Sequence, residues 1–209
     1  MSTTILNTRA PTGSGLSNQM LGTLCFLAAE VMFFLGLAFV ALEVRRSSIA
    51  WPPPGTPLLD LRLPLANTVV LLVSSLTMHM AVRRIKRADR KGLTRWLAVT
   101  TALGVLFIVG QAVEFQRLGG WLPSEDAYRA LFDTLVALHA VHVLAGIALL
   151  AFVLARSSAG RFSTSQHTAV TGAELYWHFV TAAWLLMLGA LVNVQALPDL
   201  VRSAGILAQ

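Results

Sequence analysis

The chain has 209 residues, 56% of them hydrophobic and 12% charged, with a mean hydropathy of +0.68. That balance leaves no soluble domain of useful size and places the chain among polytopic membrane proteins, as one compact bundle. The net charge of +6 does not point to nucleic acid, because the arginines stand between apolar runs, where basic residues set membrane topology. The single cysteine, Cys25, lies within the first apolar run, so no internal disulfide is available and a small packing role is its simplest reading.

Residues 1–15 are rich in Ser, Thr, Gly and Pro without periodicity and are expected to form a mobile tail. Leu16 to about Val44 make the first span. Glu30 near its middle argues against a cleaved signal peptide. Glu43 lies at the span's end beside Arg45 and Arg46, within reach of water, but Glu30 does not. A mid-membrane carboxylate costs roughly 2.5–3.5 kcal/mol on insertion scales, so Glu30 is expected to be protonated, paired or turned toward a polar cavity.

Residues 45–63 contain Trp51-Pro-Pro-Pro-Gly55, where three prolines remove donors and fix extended geometry, so this stretch reads as an extramembrane connector. Leu63 to Val82 form the second span, which holds Asn67, Ser74, Ser75, Thr77 and His79. Such side chains bond across helix pairs for roughly 1 kcal/mol each. Ser75 and His79 lie one turn apart. His79, near the helix end, is read as an interfacial packing residue rather than a metal ligand.

Arg83 to Arg95 is the densest charge run, with seven basic residues and one acid. By the positive-inside rule this short loop is cytoplasmic, so the N-terminus is inside and a fifth span puts the C-terminus outside. The inner segments then carry ten Lys and Arg and the outer segments six. Trp96 to about Phe115 form the third span, with Gln111 and Glu114 on one face and Arg117 placed to pair with Glu114. A polar loop at 119–127 leads to the fourth span, Tyr128 to about Ala155, which carries Asp133 and the i,i+3 pair His139 and His142. Loop 156–172 is polar, with Gly160 and Gly172 as breakers and His167 solvated. The fifth span carries Glu174, His178 and Thr181 on one stripe and closes before Pro198, leaving a membrane domain of 16–196 and a C-terminal tail of 197–209.

Five spans imply an all-α membrane bundle; no segment alternates at period two, and no internal repeat is evident. Two functions could use its polar residues. Histidines on facing helices could clamp a haem, or Glu and His a metal pair, although di-metal bundles need a repeated Glu-x-x-His and only Glu174-x-x-x-His178 is present. A non-catalytic subunit could instead use the same groups to pin helices, hold lipid or pass small molecules to a partner.

The segments resemble subunit III of the haem–copper terminal oxidases, in its short five-helix form. The likeness rests on Glu30-Val-Met-Phe-Phe34, Leu63-Pro-Leu-Ala-Asn-Thr68 with Ser74-Ser-Leu-Thr77, Gly110-Gln-x-x-Glu114-Phe, His139-x-x-His142-Val-x-x-Gly146 and Glu174-x-Tyr-Trp-His-Phe-Val180 with Trp184, in order over about residues 16–196. The resemblance implies a V-shaped bundle with no redox centre or metal of its own, packed on a catalytic subunit I that carries the haem and copper, with subunit II as a further expected partner. It also implies phospholipid in a helix cleft and support of proton uptake or oxygen access, while the short chain and its high arginine content lead to the expectation of a bacterial inner membrane. Its candidate polar-site or lipid-cleft residues are Glu30, Glu114, His139, His142, Glu174 and His178, with Glu30 at the place of a reactive intramembrane acid. Thr181 stands where the family usually has Asp, and Ala137-Leu138 where it has Gly-Phe. A divergent relative encoded beside nitric oxide reductases, of the same fold, is the alternative.

Overall fold

The computed structural model describes residues 17–47, 62–117, 127–164 and 166–203, and among these it contains five helices and no strand. They are α1 (Asn18–Ser47), α2 (Arg62–Lys86), α3 (Arg90–Arg117), α4 (Ala127–Ser158) and α5 (Thr168–Ser203). By length and hydropathy α1, α2, α3 and the Arg129–Ser158 part of α4 can each cross a membrane, and α5 is the longest helix at 36 residues. The N-terminal tail, most of the proline connector, the 119–127 loop up to Asp126 and the last six residues lie outside the described residues.

Three boundaries differ from the sequence reading; in the simplest of them α5 begins at Thr168, so Gly172, read as a loop breaker, lies inside the helix. The basic run expected as a loop is mostly helix: α2 extends through Lys86 and α3 starts at Arg90, so the basic side chains crown the ends of a helical hairpin. The fifth helix does not stop before Pro198 but continues to Ser203. Proline's fixed φ suits a helix, and the bond it forfeits is one local loss that membrane helices tolerate.

The turn between α2 and α3 shows how so short a reversal is made. The Ala88 N–H donates to the Ile85 carbonyl (3.0 Å) and the Asp89 N–H to the Arg84 carbonyl (3.0 Å), the two bonds of a Schellman cap. Ala88 sits at φ 60°, the left-handed position normally given to glycine. Asp89 then caps α3, its Oδ1 accepting the Gly92 N–H at 2.8 Å. The α4 terminus is built alike, with Gly160 at φ 69° in the equivalent place. Ala88→Gly is therefore expected to stabilise the chain by about 1 kcal/mol, since it relieves a side chain held in the left-handed region. A melting comparison in detergent checks this, and a destabilised variant would show that the strain is absent.

Helix α5 is central: it packs against α1, α2 and α4, while α3 joins α2 to α4. Trp177 on α5 is fully buried, and three helices form its niche. Its indole N–H donates to Ser74 Oγ on α2 (3.0 Å), and its ring edge lies against Gly104 of α3 and Gly146 of α4. Nearly two turns back along α2 and two turns on along α5, the Trp184 N–H donates to Thr68 Oγ1 (2.9 Å), and Thr77 and Thr100 join α2 to α3 at 2.8 Å. Buried hydroxyls thus tie the bundle where lipid offers no water to compete. Phe162, in the segment read as a polar loop, turns inward and joins the core around Val170 and Trp177.

Helix α1 is held differently. It touches only α4 and α5 among the described helices, and Phe34 is its one buried side chain. Met32 and Phe39 on its outer side are 74% and 68% exposed, an apolar face suited to lipid or to another membrane subunit.

Candidate functional site

The polar side chains at the helix contacts form three groups. The first bridges α1 and α4: Glu30 Oε2 lies 3.0 Å from His142 Nε2, with both side chains largely buried. His142 Nδ1 faces the Leu138 carbonyl at 2.7 Å. A carbonyl can only accept, so Nδ1 carries a proton and Nε2 shares a single further proton with the carboxyl. Phe34 sits edge-on to the imidazole at 5.0 Å, Phe33 and Phe179 approach it at 6.4 and 6.5 Å, and the Tyr176 hydroxyl donates to the His142 carbonyl (3.1 Å). Glu30 is thus paired, one of the three states expected for it.

The second group joins α2 to α5. His79 Nδ1 meets Glu174 Oε1 at 2.9 Å, and His178 Nε2 stands 3.8 Å from the same oxygen. Ser75 Oγ hydrogen-bonds His178 Nδ1. The packing role given to His79 is therefore replaced by an interhelical carboxylate contact, and Ser75 reaches across to α5 rather than along its own helix.

The third group is buried in the middle of the bundle. His139 is 2% exposed, and neither ring nitrogen has a hydrogen-bond partner among the described residues. It packs against Trp184 (5.3 Å) and edge-on to Phe107 (6.1 Å) instead. His139 and His142 share a helix but turn to different neighbours, so the i,i+3 pair does not converge on one ligand. Gln111 and Glu114 are buried on α3, and Asn67 of α2 fits against Gly110, where a Cβ would collide with its amide. Thr181, at the position of the family's Asp, hydrogen-bonds the Trp177 carbonyl at 2.9 Å and stays within its own helix.

The six site candidates therefore fall into separate places rather than one centre. Glu30 with His142, and Glu174 with His178, form pairs; Glu114 and His139 lie in the core. Sequence reasoning missed the partner of Glu174, although a signal existed. Ser75 and His79 on α2, and Glu174 and His178 on α5, are two i,i+4 pairs, the first ending about two turns before the end of α2 and the second beginning about two turns after the start of α5.

Fold and site together define a polytopic all-helical membrane protein whose interior polar groups tie its helices to one another. The family model for cytochrome c oxidase subunit III matches residues 10–193. The chain is similar to cytochrome c oxidase subunit 3 of Synechocystis sp., 39% identical over 170 residues that cover 81% of this chain and 72% of that protein. It is also similar to the subunit 3 proteins of Thermostichus vulcanus, at 36% identity with 81% and 84% covered, and of Corynebacterium diphtheriae, at 36% with 78% and 82% covered. The chain belongs to the cytochrome c oxidase subunit III family.

Proposed function

We propose that this chain is a non-catalytic subunit of a respiratory haem–copper oxidase in a bacterial inner membrane, packed on the catalytic subunit I with subunit II in the same complex. The observation that carries the reading is the family match over residues 10–193. In this reading the haem and copper reside in the partners, and this chain sustains turnover by supporting proton uptake or oxygen access. The exposed apolar face of α1 supports a membrane partner or bound lipid there. An apolar cavity of about 620 Å³ between α1 and the α4–α5 pair, lined by Thr23, Phe26, Leu149 and Tyr176, supports a phospholipid chain seated in the bundle. The basic residues where α2 meets α3, with Arg156 at the end of α4, support a cytoplasmic assignment of that side by the positive-inside rule, with the N-terminus inside and the C-terminus outside.

The test is to purify the tagged chain in mild detergent, identify the subunits that accompany it, and record absorption spectra of the eluate and of the separated chain. A haem–copper oxidase subunit I in the eluate, with the Soret band absent from the separated chain, is the expected result. A nitric oxide reductase in the eluate would reassign the partner. A Soret band on the separated chain would overturn the accessory role.

A further inference from the structure

We propose that His79, Glu174 and His178 form a binding site for a divalent transition-metal cation, zinc being the best match, at the seam of α2 and α5. His79 Nδ1, one Glu174 oxygen and His178 Nε2 all lie within 4.8 Å of one another. Zinc bound at about 2.0–2.1 Å in tetrahedral geometry sets its donor atoms about 3.4 Å apart, between the 2.9 Å and 3.8 Å seen here from Glu174 to the two imidazoles. Two imidazoles and one carboxylate are a common protein donor set for zinc, with the fourth position left to water.

Three features favour a cation over a hydrogen-bond network alone. At 3.8 Å, His178 Nε2 is beyond hydrogen-bond reach of Glu174, and a metal would close that gap. Ser75 engages the opposite nitrogen of His178, as the outer partner of a ligating histidine does, which fixes the ring and leaves Nε2 free for the metal. The site is also reachable: the His79 side chain is 57% exposed and lies seven positions before Lys86 at the basic end of α2, about 10 Å along the helix. On binding, the proton that His79 Nδ1 donates to Glu174 moves to the exposed Nε2 or is released, and the metal takes its place. The cation would then clamp α2 to α5. This site is independent of the partner assigned above and departs from the expectation that no residue of the chain ligates a metal.

The experiment uses the full chain in detergent, stripped with chelator and titrated with Zn²⁺ by calorimetry, with zinc-edge X-ray absorption on the loaded sample. One zinc per chain in a shell of two imidazoles and oxygen donors is expected, together with a rise in melting temperature on loading. His79→Ala changes an exposed side chain and leaves the fold intact; it should weaken binding at least about 10-fold and abolish the melting shift. Ser75→Ala should weaken binding by roughly 10-fold through the loosened His178 ring. His142→Ala, on the other side of α5, should bind as wild type does. Absence of zinc binding in the wild type at micromolar metal, binding unchanged in His79→Ala, or an absorption spectrum without imidazole ligation would each overturn the site.

Discussion

Trp177→Ala is expected to be among the most destabilising single changes in the chain, by about 3 kcal/mol. Large-to-small changes of buried aromatics cost about 3–5 kcal/mol in water-soluble cores, where lost transfer energy and a new cavity add together. In a bilayer the surrounding lipid is as apolar as the core, so the transfer part shrinks and lost packing dominates. Packing is what this side chain supplies. A Cβ on Gly104 would stand 2.7 Å from its ring and one on Gly146 2.9 Å, so α3 and α4 approach α5 through notches shaped to the indole. The same notches predict that Gly104→Ala costs about 1–3 kcal/mol, as overpacking does, because a rigid ring cannot move aside. Trp177→Phe keeps most of the filling but loses the bond to Ser74, for about 1 kcal/mol. Unfolding in mixed detergent measures all three; an alanine variant no weaker than the phenylalanine one would show that the niche closes over the loss.

What the sequence made legible follows from the solvent. An apolar run of twenty residues has one stable answer in a membrane, so the helices and their order were readable from composition alone. The helix ends were less so, because Arg83 to Lys86 and Arg90 to Arg95 are polar and read as loop, yet a Schellman cap and an aspartate cap carry the helices through them. Pair formation was legible only as a requirement. Glu30 had to be neutralised, but the periodicity of α1 does not say by what, since His142 lies 112 residues away. Glu174 shows the same limit more sharply: its neighbour His178 was visible at i,i+4, whereas His79 comes from another helix and needed the tertiary arrangement. His139 runs the other way. Its spacing to His142 suggested shared ligation, and the structure turns it into an aromatic pocket against Trp184.

The Glu30 and His142 pair yields the second large effect, on function rather than stability. With Nδ1 held by the Leu138 carbonyl, the 3.0 Å contact between Nε2 and Glu30 contains one proton, whether it rests on the carboxyl or on the ring. The pair is neutral as a unit, which is how a carboxyl is tolerated at this depth. Glu30→Ala leaves a neutral imidazole with one unsatisfied nitrogen, a cost of about 1–3 kcal/mol. That does not dismantle five packed helices, so assembly should persist while the catalytic lifetime of the oxidase falls several-fold, if this acid helps to supply protons. Glu30→Gln separates the two roles. Its amide can donate to Nε2 and keep α1 on α4, but it has no acidic proton to exchange. The expected pattern is a shortened lifetime in both variants and a lowered melting temperature in the alanine variant alone. Full lifetime in the glutamine variant would make the pair an interhelical tie and remove Glu30 from the proton supply.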